Sequence, residues 1–245
     1  MADLDDTVTE ISKDLKTPTD STVMHMRSLR MAIGWIGLAL PAALVVGENF
    51  RDWFVTRSST VGDSFIEPSI SAYFHTGMRE LFVGSLCAVA VFLVCYKGYD
   101  RRDDIAANLA GICALIVAVF PTTERAVTDI DSVTIFSDAR TPDPTFVGVL
   151  HFVAAAIFFV TLAVMSIYLF TLSTSTGVTP EKINRNKVFR SCGFTMIACI
   201  VLIAIGRIAG VSDRTSYMFW LESIAIVAFG ISWLTKAQVI LADKA

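Results

Sequence analysis

Phe146-Val-Gly-Val-Leu-His-Phe-Val-Ala-Ala-Ala-Ile-Phe-Phe-Val-Thr-Leu-Ala-Val-Met-Ser-Ile-Tyr-Leu-Phe-Thr-Leu172 is the stretch whose reading decides the fold. Its 27 residues hold no Asp, Glu, Lys or Arg and a single histidine, His151. A helix needs about 20 apolar residues to cross the hydrocarbon core of a bilayer, and this run exceeds that length. Five further runs flank it: Met31–Gly47, Leu81–Tyr96, Ile105–Phe120, Cys192–Ile208 and Met218–Leu234. Each reaches, or nearly reaches, spanning length. The chain is therefore expected to be all-α, an integral membrane six-helix bundle. In lipid each span must satisfy its own backbone hydrogen bonds, which a helix does.

Composition agrees. Hydrophobic residues make up 54% of the chain and charged residues 18%. The mean hydropathy is +0.61. Soluble domains carry about 25% charge, and the ten-residue alternation of an outer-membrane barrel is absent. With six spans, the 245 residues leave little for a separate soluble domain. The expected division is a polar tail over 1–30, a transmembrane domain over 31–236 and a short tail over 237–245. About thirty polar residues precede the first run, which is read as a retained span rather than a signal peptide. The five cysteines sit in or beside apolar runs, as small packing residues do.

The charges are sorted. Lys13, Lys16, Arg27, Arg30, Lys97, Arg101, Arg102, Lys182, Arg185, Lys187, Arg190, Lys236 and Lys244 fall on one side of the predicted topology. Arg51, Arg57, Arg79, Arg125, Arg140, Arg207 and Arg214 fall on the other, over longer loops. The positive-inside rule then makes the N- and C-termini cytoplasmic. The outer loops, near 48–77 and 121–145, are acidic. The compact chain and the absence of a targeting segment favour a bacterial inner (plasma) membrane. A helix entering span one is expected to start near Thr19-Asp20-Ser21. Pro41 is a candidate kink, and Gly84 with Ala88 a candidate small-residue packing pair.

Ionisable residues at membrane depth default to functional candidates. Ser71, His75, Arg79 and Phe82 recur at helical spacing, so span two is expected to begin near Pro68. His75, Arg79 and Glu80 then lie at its outer end. His151 lies about two turns into span four and Glu222 about one turn into span six. The inner halves of the spans read as almost purely apolar. This asymmetry predicts an outward-facing polar pocket in which Ser71, His75, Arg79, Glu80, His151 and Glu222 bind a ligand. Arg79 and His151 are the expected partners of Glu222. Each residue also has a purely structural reading, as an interhelical hydrogen bond or ion pair. A metal site built on the two histidines is the weaker alternative, because no second ligand pair stands at coordinating spacing. No metal or other cofactor is assigned.

Several short stretches carry a family resemblance. They are Pro68-Ser-Ile-Ser71, Arg79-Glu-Leu-Phe-Val-Gly84, Tyr96-Lys-Gly-Tyr-Asp-Arg-Arg102, Asn108-Leu-Ala-Gly111, Phe120-Pro-Thr122, Leu150-His151, Phe219-Trp-Leu-Glu222 and Phe229-Gly230. Their order resembles the six-helix family of damage-regulated autophagy modulators (DRAM-like) and GPI-anchor lipid-remodelling proteins, and related bacterial six-helix proteins of unknown function. The likeness runs from about Ile33 to Lys236. It implies six helices, cytosolic ends and a role in membrane lipid handling, without a catalytic mechanism. A rival likeness, to seven-helix hydrolases of the ceramidase and adiponectin-receptor type, shares a Ser-xxx-His pattern. This chain has one span fewer and no His-xxx-His pair near its end.

Three functions follow as expectations. The first is binding or sensing of a lipid or other amphiphile, without catalysis. The second is a metal-dependent membrane lipid hydrolase, and the third a small-solute transporter, against which the apolar inner halves argue. The expected partners are membrane lipids. Self-association stays open, and nucleic acid is excluded for want of any phosphate-cradling motif.

Overall fold

The computed structural model describes residues 20–51, 53–54, 66–98, 100–120, 144–172, 179–211 and 216–242. Among these residues there are six α-helices and no strand. They are α1 (Asp20–Arg51), α2 (Arg79–Cys95), α3 (Arg101–Val119), α4 (Pro144–Val164), α5 (Pro180–Ile208) and α6 (Tyr217–Lys236). A one-turn π-helix, Met165–Leu169, continues α4, and a 3₁₀ turn, Ser71–His75, precedes α2. Four stretches are long and apolar enough to cross a membrane: His25–Arg51, Phe146–Leu169, Pro180–Ile208 and Tyr217–Lys236. The acidic residues of the 121–143 loop and the first nineteen residues lie outside the described residues.

The helices form a ring in chain order. Each packs on the next, and α6 closes the ring against α1. Small residues allow the closest seams. A Cβ on Gly230 would stand 2.8 Å from the Gly34 carbonyl oxygen and 2.8 Å from the Leu38 amide nitrogen, so α1 and α6 touch backbone to backbone. Gly111 of α3 lies as closely on the Ala90 carbonyl of α2. The expected pair at Gly84 is not such a seam. Gly84 faces outward, and a Cβ there would meet nothing within 4 Å. Pro41 is accommodated inside an unbroken α1.

Helix starts differ from the apolar runs for local reasons. α1 already begins at Asp20, ahead of its run, as the polar cluster there predicts. α5 begins at Pro180, twelve residues before Cys192, because the Thr179 side chain accepts from the Lys182 amide and Pro180 fills the first helical position. Its other end closes on Gly210, at φ +66°, where the Val211 N–H reaches the Gly206 carbonyl. Span two is the clearest correction. The helix starts at Arg79, not near Pro68, because Thr76 is extended (φ −110°, ψ −178°) and breaks the path. The regular spacing of Ser71, His75, Arg79 and Phe82 therefore does not place them on one helix face.

The basic end of the bundle gathers the N-terminal half of α1, the start of α5 and the end of α6. Arg27 Nε donates to the Ala237 carbonyl at 3.1 Å, which fixes the first helix beside the last. Contrary to the apolar inner halves expected, Asp103, Ser166, Arg185, Ser232 and Lys236 are all buried here. Ser166 donates to the Phe189 carbonyl at 2.7 Å and meets the Ser232 hydroxyl at 2.7 Å.

Candidate functional site

Toward the opposite end, five of the six helices (α1, α2, α3, α4 and α6) border a partly open cavity of about 70 Å³. Its walls are apolar. Ile36 and Leu40 come from α1, Phe82 and Leu86 from α2, Phe158 and Phe159 from α4, and Ile226 and Phe229 from α6. Gly37 contributes backbone, leaving the Phe229 ring room beside it. The polar lining is small: Ser71, Ser85, His151 and Glu222. Three of the six expected site residues are therefore brought to one space.

Glu222 is held from an unexpected direction. Its Oε2 accepts the backbone N–H of Ile70 at 2.6 Å. One turn earlier, the Phe219 N–H donates to the Pro68 carbonyl at 2.9 Å. These two bonds dock the Pro68–His75 segment on the start of α6. They place Ser71 over the cavity, where its hydroxyl meets that of Ser69 at 3.2 Å. The Ser69 hydroxyl in turn accepts from the Ala72 amide at 3.0 Å.

His151 is almost wholly buried. Its Nδ1 lies 2.6 Å from the Phe120 carbonyl at the end of α3. A carbonyl accepts only, so Nδ1 carries a hydrogen, and in the neutral ring Nε2 keeps the lone pair. His75 is near enough to exchange electrostatic influence with His151, but it does not line the cavity. Its ring leans edge-on against Phe74 at 5.4 Å.

Arg79 and Glu80 stand apart. Arg79 Nε donates to the Phe74 carbonyl at 2.9 Å, and its guanidinium lies 5.0 Å from the Phe74 ring centre. Its expected pairing with Glu222 does not form. Glu80 is exposed and faces away from the cavity. Glu48 accepts from Arg51, one turn on, at 2.7 Å. Arg207 sits over the Phe152 ring at 4.2 Å.

Two residues of this end went unnoticed in the sequence. Ser85 resembles any small span residue. Tyr73, fully buried beside Phe219, belongs to a turn that hydropathy does not register. Burial pushes its hydroxyl up to about 12, helped by the charges of Glu67 and Glu48 and opposed by the Glu67 backbone. Among the described residues no group of three or more His, Cys, Asp or Glu side chains could hold a metal ion.

The geometry offers a fixed carboxylate, an imidazole lone pair and a hydroxyl at the polar end of an apolar slot. That set can hold a hydrogen-bonding head while the walls take a hydrocarbon tail. Comparison with protein-family models, curated proteins and solved structures gives no match.

Proposed function

We propose that the chain is an integral membrane protein of six spans that takes the apolar chain of an amphiphile into this cavity and holds its polar end with Ser71, His151 and Glu222. The one observation that carries the reading is the cavity itself, walled mostly by apolar side chains with Ser71, His151 and Glu222 on its rim. Its volume is about half that of the ~150 Å³ apolar cavity that takes benzene. It therefore suits an amphiphile with a short apolar chain rather than a whole lipid.

The outer surface supports the spanning role of all six helices. α3 exposes Ile105, Leu109, Ile112 and Leu115, and α4 exposes Val149, Val153, Ile157, Val160 and Val164. Apolar groups facing out at helical spacing call for lipid around them. α2 and α3 have 17 and 19 residues, about 25 and 28 Å at 1.5 Å per residue, close to the ~30 Å hydrocarbon core. In the proposed orientation the basic end faces the cytoplasm with both termini, in a bacterial inner membrane, and the cavity lies in the outer leaflet.

The test is photolabelling in lipid vesicles with a short-chain fatty acid carrying a terminal diazirine. Wild type is expected to label within α4 and α6. Ala155→Leu adds three carbons to the cavity wall and should remove that labelling. Gly84→Leu, on the outward face of α2, should leave it unchanged. Equal labelling of α4 and α6 in wild type and Ala155→Leu would overturn the proposal.

A further inference from the structure

The basic end carries a second cluster, independent of the cavity. Lys236 is buried at 9% exposure, with Nζ 4.8 Å from the centre of the Phe170 ring. The charges that act on it are those of Arg30, Lys182 and Arg185, all cationic, and of a single carboxylate, Asp103. These groups arrive from α1, α3, α5 and α6, so the fold and not one sequence run assembles them.

An aromatic bed lies beneath the cations. Tyr96 packs on Trp233 at 5.1 Å, Trp233 on Phe170 at 5.3 Å, and Phe170 on Phe189 at 5.5 Å. Arg30 lies 5.4 Å above the Tyr96 ring, and Lys182 Nζ 5.9 Å from the Phe189 ring. Arg30 Nε is buried with no hydrogen-bond partner. Lys182 Nζ also donates to the Phe170 and Leu172 carbonyls and Arg185 to the Leu241 carbonyl, but these neutral acceptors leave the charge uncancelled: among the described residues four cations face one carboxylate, and at a buried helix end their repulsion is weakly screened. An anion among them would relieve it and accept from Arg30. The guanidinium fork matches phosphate oxygens, lysines add point charge, and aromatic rings with long cationic stems suit a membrane interface.

We propose that Arg30, Lys182, Arg185 and Lys236 form a binding site for a phosphate group, supplied by an anionic lipid headgroup or by free phosphate. The site sits at the opposite end of the bundle from the cavity and does not depend on it.

The test uses the full chain in neutral detergent. Binding of phosphatidylglycerol, phosphatidylcholine and inorganic phosphate is followed by native mass spectrometry and by tryptophan fluorescence in a variant whose other three tryptophans, Trp35, Trp53 and Trp220, are replaced by Phe so that Trp233 alone reports. Phosphatidylglycerol is expected to bind more tightly than phosphatidylcholine. Arg30→Gln and Lys236→Met should each weaken it about fivefold, and together about 25-fold. Lys236→Met keeps an apolar stem in the buried space. Arg30→Lys keeps the charge and should bind more tightly than Arg30→Gln, which separates a charge effect from damage to the fold. Arg79→Gln, at the other end, should bind like wild type. A signal from millimolar inorganic phosphate that the same variants weaken, with none from phosphatidylglycerol, assigns the site to free phosphate. Absence of binding by either probe, or variants that bind like wild type, overturns the proposal.

Discussion

Adding one methyl group at Gly230 and at Gly84 should have opposite consequences, although both are helical glycines in apolar surroundings. At Gly230 the new carbon would meet the Gly34 carbonyl oxygen and the Leu38 nitrogen at 2.8 Å and the Leu38 Cα at 3.2 Å, all of them backbone. No side chain can swing aside, so α1 and α6 must separate by roughly 0.5 Å. A gap of that size forfeits about a quarter of the dispersion well at each contact along the seam. Overpacking of this kind costs about 1–3 kcal/mol. At Gly84 nothing stands within 4 Å. Both substitutions gain the same helix propensity, up to about 1 kcal/mol. The difference between the two variants therefore isolates the steric cost of about 1–3 kcal/mol, with Gly84→Ala the more stable. Reversible unfolding in mixed detergent micelles reads it directly. Equal stability of the two variants, or a more stable Gly230→Ala, would refute the packing of α6 on α1.

Two further predictions concern the cavity end. Glu222→Ala removes the acceptor of the Ile70 N–H and should speed exchange of that amide roughly 10- to 150-fold, the equivalent of about 1.5–3 kcal/mol for a charged hydrogen bond, whereas Glu222→Gln keeps an oxygen and should do less. Unchanged Ile70 exchange in Glu222→Ala would show that the segment is held by something else. The raised Tyr73 hydroxyl predicts a pH effect: the folded state keeps a proton that the unfolded chain releases above about pH 10, so its contribution to stability is complete below pH 10 and is lost as pH rises to about 12. Stability measured over that window should fall less steeply in Tyr73→Phe, and identical slopes would contradict the assignment.

Helix positions were readable because long apolar runs have few alternatives: three of the six runs fall wholly within helices, and the other three overrun a helix end by one to three residues. Starts were less readable. α5 gains twelve residues from a Thr179-Pro180 signal that hydropathy ignores, and its first turns are polar because they sit at the basic end. The helical spacing of Ser71 and His75 with Arg79 misled, since one extended residue, Thr76, resets the phase. At the site, Ser71, His151 and Glu222 were legible as polar residues near one end of their spans. The partner of Glu222 was not, because a backbone N–H from a loop leaves no mark in sequence. The burial of Asp103 and Lys236 was missed because charges at helix ends look like loop charges. Their helical phase held the information: Lys236 continues the line of Phe229 and Ser232, and Asp103 that of Ala107 and Ala110, all buried.

The ring order of the helices also bears on how the protein is made. Helices two to five can each pack on a neighbour already synthesised, but the glycine face of the first helix, Gly34 and Gly37, has its true partner in the last. Until α6 leaves the ribosome, that face must be covered by lipid or by an insertion factor. Closure of the bundle, and with it the shaping of both ends, then waits on the final twenty-residue helix.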